Sequence, residues 1–296
     1  MKHSLQQMAA FAETARHGSF AAAARELGSA PSTLAKAVAR LEASLQVKLF
    51  HRTTSQVSLT PDGERLYGRC ERLLADLEAL QAEAAGTREE PAGLLRVDLP
   101  IVMGREFVLP VLARMAQRFP RLELDVRLQD GYADLVKEGI DVALRLGPLK
   151  DSTLVAQRVA SQSMVLVANR AYLERNGTPR RLEDLAAHEA LVFRMPTSGR
   201  DRPWHLRQAG KDVELHPPTR IRINDGEGLV AAVRLGLGLA QLPEYFVRRE
   251  LARGEVVEVL KSLRPAVLPV LAVYPGARLV PARARAFLQE LKGIDV

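Results

Sequence analysis

The chain of 296 residues contains one cysteine, Cys70, so it can form no internal disulfide and cannot build a zinc site on several thiolates. That usage fits a reducing compartment. No apolar run approaches the roughly 20 residues that a membrane-spanning helix needs. The opening residues, Met1-Lys2-His3-Ser4-Leu5-Gln6-Gln7, lack the apolar stretch of a secretory signal, so a cytoplasmic protein without membrane contact is expected. Six histidines, at 3, 17, 51, 188, 205 and 216, are scattered without ligand spacing, and no metal site is expected. Phosphate-binding and nucleophile motifs are missing as well: there is no Walker loop, no Gly-x-Ser-x-Gly elbow and no His-Glu-x-x-His. Gly236-Leu237-Gly238 lacks the further glycine of a dinucleotide fingerprint and precedes a strand, which suits helix-ending glycines. The expectation is therefore no catalytic residue, no cofactor and no enzyme.

What is present is an ordinary globular composition, 47% hydrophobic and 26% charged, in a chain long enough for about two folding units. The net charge of +7 is unevenly spread. Residues 1–60 carry +4, residues 61–90 carry −4, and the remainder carries +7. A basic N-terminal module followed by an acidic helix fits nucleic acid bound at one end, although solvated charge alone is the simpler account.

Leu5, Met8, Phe11, Ala12 and Ala15 recur at helical spacing, predicting a helix over 4–16 that His17-Gly18 ends. Ser19 can cap a second helix, which runs to Leu27 and stops at Gly28. A third starts with Pro31, where a missing N–H costs nothing, and turns Leu34, Val38, Leu41 and Leu45 inward. Residues 50–54 and 57–59 then read as extended arms around Ser55-Gln56. Three helices and a small hairpin predict a winged helix-turn-helix. Thr60-Pro61-Asp62 starts another helix, whose Leu66, Cys70, Leu73, Leu77, Leu80 and Ala84 alternate at spacings of four and three. That seam suits pairing with a second helix. Thr87 to Gly93 reads as a linker. Beyond it, strands are predicted at 94–99, 122–128, 140–146, 163–168, 190–193, 220–223, 238–242 and 268–274. Helices are predicted at 104–118, 130–138, 226–235 and 243–252. Their alternation argues a mostly parallel sheet covered by helices.

Several strings carry a family resemblance. They are Gly18-Ser19-Phe20-Ala21-Ala22-Ala23-Ala24-Arg25-Glu26-Leu27-Gly28, Ser32-Thr33-Leu34, Leu41-Glu42, Leu49-Phe50-His51-Arg52-Thr53-Thr54 and Leu59-Thr60-Pro61-Asp62-Gly63. Gly93 to Val97, Phe119-Pro120, Asp141 to Gly147, Asn224-Asp225-Gly226 and Gly236-Leu237-Gly238 extend it along the chain. In order and spacing the sequence resembles the LysR-type transcriptional regulators over essentially its whole length. The resemblance implies an α/β protein overall: a winged helix-turn-helix DNA-binding domain (1–60), a linker or dimerisation helix (61–88), and a periplasmic-binding-protein-like effector domain (89–296). Its two α/β lobes would comprise 92–165 with 269–296, and 166–268. The implied partners are double-stranded DNA bearing an interrupted inverted repeat, a small-molecule effector of anionic character, a second chain or three more, and RNA polymerase. A transport-type solute-binding protein or an enzyme on the same α/β domain is the alternative.

Candidate site residues follow. Pro31, Ser32, Thr33, Lys36 and Arg40 lie on the outward face of the third helix, with His51, Arg52, Thr53 and Thr54 on the wing. Hydroxyls near a helix start reach bases or phosphates, although either Ser32 or Thr33 alone equally fits a simple preference for helix N-termini. Lys36 suits a guanine or a phosphate, and Arg52 the backbone. Dimerisation candidates are Leu66, Cys70, Leu73, Leu77 and Leu80, with core packing the favoured role for Cys70. By family analogy the effector would meet Pro100, Ile101, Val102, Arg145, Phe193, Thr197, Ser198, Asn224 and Asp225. Two helix N-termini would attract its negative charge. Arg145 would supply further charge, or be satisfied by an acid such as Asp225. Trp204 is either a cleft wall or a packed surface aromatic. The chain departs from the family at Ala30 and Ala35, where hydroxyls are common, at Ser55 in place of arginine, and at Pro100-Ile101 in place of Ser or Thr. An operator sequence therefore does not transfer from relatives. Gln46 replaces a common glycine, a change expected to be neutral.

Overall fold

The computed structural model describes residues 2–52, 57–84, 90–147, 154–276 and 280–296. The chain divides into two compact units, residues 1–93 with 277–283, and 94–276 with 284–296.

In the first unit, α1 (Lys2–His17), α2 (Phe20–Glu26) and α3 (Pro31–Leu45) precede the antiparallel pair β1 (Phe50–Arg52) and β2 (Val57–Leu59), and α4 (Pro61–Ala84) follows. Ser19 caps α2, its hydroxyl accepting the Ala22 N–H at 3.4 Å. Phe11, Leu34, Val38, Leu41, Leu49 and Phe50 form the buried core, each worth roughly 2 kcal/mol by transfer from water. The Phe50 ring lies 5.2 Å from Phe11 and 5.9 Å from Phe20.

Glu42 joins α3 to the wing. Its buried carboxylate accepts the backbone N–H of Leu49 at 2.8 Å and of Phe50 at 3.4 Å, with Lys48 Nζ at 3.6 Å. The start of β1 is thereby fixed to the last turns of α3. Thr60 continues the brace: its hydroxyl donates to the Lys48 carbonyl at 2.6 Å and accepts the Gly63 N–H at 3.0 Å, capping α4. A Cβ on Gly63 would stand 2.1 Å from the Leu49 carbonyl, so only glycine fits. Gln46, at the end of α3, has φ of +55°, a left-handed conformation that glycine adopts without cost. The expectation that glycine and glutamine are equivalent there is corrected.

The second unit runs through β3 (Gly93–Leu99), α5 (Ile101–Met103), a π-turn (Gly104–Val108), α6 (Leu109–Arg118), β4 (Leu122–Leu128), α7 (Leu135–Glu138), β5 (Val142–Leu146) and β6 (Leu154–Gln162). There follow β7 (Met164–Asn169), α8 (Arg170–Asn176), β8 (Ala190–Phe193), the hairpin of β9 (Trp204–Gln208) and β10 (Lys211–Leu215), β11 (Ile221–Ile223), and α9 (Gly226–Arg234). The last elements are β12 (Leu239–Pro243), α10 (Arg248–Arg253), β13 (Val256–Val259), β14 (Leu268–Pro275) and α11 (Ala282–Glu290). One five-stranded sheet has the order β4-β3-β5-β14-β6 and the other β11-β8-β12-β7-β13. These are the two α/β lobes.

The expectation of a mostly parallel sheet is corrected. β14 is antiparallel to both β5 and β6, and β7 to both β12 and β13. Hydrophobic runs buried on both faces look alike whichever way a strand points. The predicted helix at 104–118 bulges because Pro110 cannot donate to the carbonyl one turn back. Leu109 N–H bonds Gly104 O, five residues away, and regular α-helix resumes beyond.

Candidate functional site

On α3 the burial pattern separates two faces. Leu34, Val38 and Leu41 are buried, whereas Pro31, Ser32, Thr33, Lys36 and Arg40 are all exposed. Ala30 occupies the N-cap with no side-chain hydrogen bond. His51 is exposed on β1 and Arg52 follows it on that strand; Thr53 and Thr54 lie outside the described residues. A rigid helix thus presents two hydroxyls and two cations on one face, with the wing pinned beside it through Glu42.

The seam on α4 splits. Cys70 is buried in its own chain's core, and Leu66 packs on that core with Tyr67 and Leu74. Core packing, the favoured role for Cys70, is what the structure shows, and its inclusion among the dimerisation residues is corrected: α4 first spends this face on the helix-turn-helix. Burial, with Glu71 nearby, pushes the Cys70 thiol up to about 11, so it carries no reactive thiolate at neutral pH. Leu73 is exposed and Leu77 half-buried, while the Leu80 side chain lies outside the description.

In the second unit the expected effector residues gather at the carboxyl ends of strands, where open α/β sheets bind ligands. Pro100 and Ile101 follow β3, Arg145 lies on β5, Phe193 ends β8, and Asn224-Asp225 follow β11. Thr197 comes from the β8–β9 connection, and its hydroxyl accepts the Tyr132 N–H at 3.2 Å, joining loops that follow strands of the two different sheets. Ser198 is exposed and accepts the Arg200 N–H. Arg105 pairs with Glu227, and Arg249 stands 3.9 Å from Glu106, so ion pairs also link the lobes.

Four expectations about this site are corrected. The N-terminus of α5 is occupied by the chain itself, since the Asp130 carboxylate accepts the Ile101 N–H at 3.1 Å. The N-terminus of α9 is filled likewise, the Asp225 side chain accepting Gly228 N–H at 2.6 Å. Arg145 pairs with Asp98, not Asp225: its Nη1 donates to the buried Asp98 carboxylate at 2.7 Å, its guanidinium carbon lies 5.0 Å from the Tyr132 ring centroid, and its buried Nη2 has no hydrogen-bond partner among the described residues. Trp204 is buried in the core of the second sheet with Leu206 and Leu239, so it is no cleft wall. Phe193 also packs inward, against the cluster around Leu229 and Val233.

Sequence reading missed Asp130, Tyr132, Arg202 and Tyr245. Burial, reinforced by Asp225 and Glu227, raises the Asp130 carboxyl above its ordinary range. Tyr245 meets Phe107 edge-on at 5.3 Å, and burial pushes its phenol up. The missed signal was positional: Gln129-Asp130-Gly131-Tyr132 directly follows β4, a polar loop at a strand's carboxyl end. Elsewhere in this unit, a depression of about 620 Å³ is lined by Asn169, Arg170, Glu174, Arg234, Leu235 and Glu255. Asn169 there caps α8 and donates to Arg234 O, and Arg170 donates to Gly254 O, so these two polar groups serve the fold.

A winged helix-turn-helix preceding two α/β sheets with polar loops at their strand ends defines a DNA-binding regulator with a ligand-responsive domain. The bacterial regulatory helix-turn-helix model of the lysR family matches residues 5–64, and the LysR substrate binding domain model matches residues 88–294. The HTH-type transcriptional regulator CrgA of Neisseria meningitidis serogroup C (strain 8013) is 32% identical over 293 residues, 98% of this chain and 97% of that protein. The HTH-type transcriptional regulator DmlR of Escherichia coli (strain K12) is 33% identical over 292 residues, 97% of this chain and 93% of that one. The solved structure of CrgA, a LysR-type transcriptional regulator, superposes with a TM-score of 0.59 at 31% identity, covering 97% of this chain and 98% of that chain. The chain belongs to the LysR-type transcriptional regulators and is a DNA-binding transcriptional regulator with an effector-responsive domain. The relatives are regulators, not enzymes.

Proposed function

We propose that the chain works in the cytoplasm as a dimer or tetramer that holds an interrupted inverted repeat with α3 and the wing of each subunit. In this reading a small molecule at the strand ends of the second unit alters the assembly on DNA, and RNA polymerase feels the result. The observation that carries it is the division of α3: every candidate DNA contact on that helix is exposed, while the intervening apolar residues are buried. Ser32 and Thr33 stand where a helix N-terminus meets phosphate or base edges, and Lys36 and Arg40 continue along the same face. Arg52, on the wing strand β1, is assigned to the DNA backbone. The exposed Leu73 and half-buried Leu77 on α4 support pairing with a second copy.

Fluorescence anisotropy on the native operator across a salt series tests this. Lys36→Ala and Arg52→Ala should each weaken binding, and each lost phosphate contact should flatten the salt dependence by about one unit of slope. Unchanged affinity and slope in both variants would remove α3 and the wing from the interface.

A further inference from the structure

We propose that the π-turn Gly104–Val108 is a clasp between the two lobes, closed by three consecutive side chains, Arg105, Glu106 and Phe107, and that opening it is the step by which a bound small molecule changes operator affinity. The second half rests on the reading that a small molecule binds at the strand ends of the second unit.

Each of the three residues meets the opposite lobe. Arg105 pairs with Glu227 on α9, Glu106 faces Arg249 on α10 at 3.9 Å, and the Phe107 ring meets Tyr245, just beyond β12, edge-on at 5.3 Å. In a regular helix three consecutive side chains fan over more than half the circumference. The wider π-turn narrows that fan, and such turns recur at functional sites. The turn is seated firmly on its own lobe: Gly104 is buried, and a Cβ there would stand 3.1 Å from the Leu99 Cβ on β3. On the other lobe Tyr245 and Glu227 belong to one packed group. The Tyr245 ring lies 4.9 Å from that of Phe246, and Phe246 fills the space that a Cβ on Gly226 would need. The contacts thus close a ring from Arg105 through Glu227, Phe246 and Tyr245 back to Phe107.

The clasp sits where such a molecule would press. Ile101 and Val102 lie between β3 and the π-turn, and Asn224-Asp225 lie between β11 and α9, which carries Glu227. A molecule held between those strand ends either fits beneath the closed clasp or parts it. It shifts the chain only by its difference in affinity for the two arrangements. Both ion pairs are exposed, and pairs of that kind are individually weak, which suits a closure that ligand binding has to reverse. A further cross-lobe contact, the Tyr132 N–H on the Thr197 hydroxyl at 3.2 Å, lies on a different loop. Its amide therefore reports the separation of the lobes without being part of the clasp.

The test uses the full chain, hydrogen exchange at the Tyr132 amide and fluorescence anisotropy on the operator. Glu227→Arg sets two guanidinium groups against each other, and Phe107→Leu keeps apolar bulk while removing the ring contact. Each should speed Tyr132 exchange at least about threefold and shift operator affinity by a similar factor. Amides of β5 and β7 should keep wild-type protection, which shows that both lobes remain folded. Arg105→Glu/Glu227→Arg restores opposite charges and should return both readouts to within about twofold of wild type. Unchanged Tyr132 exchange in both single variants, or a charge swap no closer to wild type than Glu227→Arg, would overturn the clasp. Faster exchange with unmoved operator affinity would overturn its part in switching. A chain that binds operator no better than scrambled duplex would overturn the DNA reading and the switch with it, while the exchange rates still decide the clasp.

Discussion

Arg145 and Asp98 form a buried ion pair with 2.7 Å between Nη1 and the carboxylate, and Gln129 Nε2 donates to the other oxygen of Asp98, also at 2.7 Å. The pair ties β3 to β5 next to their carboxyl ends, which gives Arg145 a structural role through Nη1. Arg145→Glu would set two acids side by side out of water. Breaking such a pair costs about 3–5 kcal/mol, whereas replacing both members with apolar residues is often near neutral. Urea denaturation should therefore show severe destabilisation in Arg145→Glu and near-wild-type stability in Asp98→Leu/Arg145→Met. A stable Arg145→Glu domain would refute the structural role.

Asp130 gives the effector domain a pH signature. Its folded-state pKa lies above the ordinary 3.8, so the protonated carboxyl is the form the fold favours. Its stabilising contribution is complete below the unfolded value and is lost as pH rises through the folded one. Asp130→Asn, which can still accept the Ile101 N–H, should remove that decline and melt higher than wild type at neutral pH. Thermal melts from pH 3.5 to 7 check this; a lower neutral-pH melting temperature would contradict it.

At the end of α3, Gln46 holds a left-handed conformation, and Gln46→Gly should raise the stability of the DNA-binding domain. The gain is about 1 kcal/mol, the usual penalty for a side chain in that region. Chemical denaturation of the full chain, followed through the first unit by amide exchange, reads it directly. Equal or lower protection in the variant would show that the turn is not strained.

The α4 seam divides into a part that folds the chain and a part that joins chains. Cys70→Ser puts a hydroxyl in an apolar core and should cost about 1–3 kcal/mol of stability without changing the oligomer. Leu77→Asp should leave the monomer folded but shift light-scattering mass toward a single chain, because a charge there would be desolvated on pairing. A dimer that survives Leu77→Asp would move the main interface to the effector domains.

The helix-turn-helix was legible because each local signal agreed with the next. Ser19 caps α2, Pro31 opens α3, and Leu34, Val38 and Leu41 repeat at the spacing of one buried face. Glu42, by contrast, stood in the sequence only as part of a family string, since nothing local announces that its carboxylate will meet backbone N–H groups seven and eight residues on. The β9–β10 hairpin went unread for a related reason. Ala209 and Gly210 form its two-residue turn with φ of +50° and +80°, but alanine there lacks the Asn-Gly or Asp-Gly signal. In the effector domain the strand ends were placed well, yet the charges were assigned to the wrong partners. Asp98 and Arg145 are 47 residues apart in sequence. Pairings of that range depend on sheet order, which the hydrophobic pattern leaves open.

The most direct test of the account is selection of a random duplex pool by the full-length chain, run beside the chain lacking residues 1–60. The account predicts that the full chain enriches an interrupted inverted repeat and binds it at least 1,000-fold more tightly than scrambled duplex, about the lower end of specific recognition, and that the shortened chain enriches nothing. Enrichment by the shortened chain, or no sequence enriched by the full one, would contradict it.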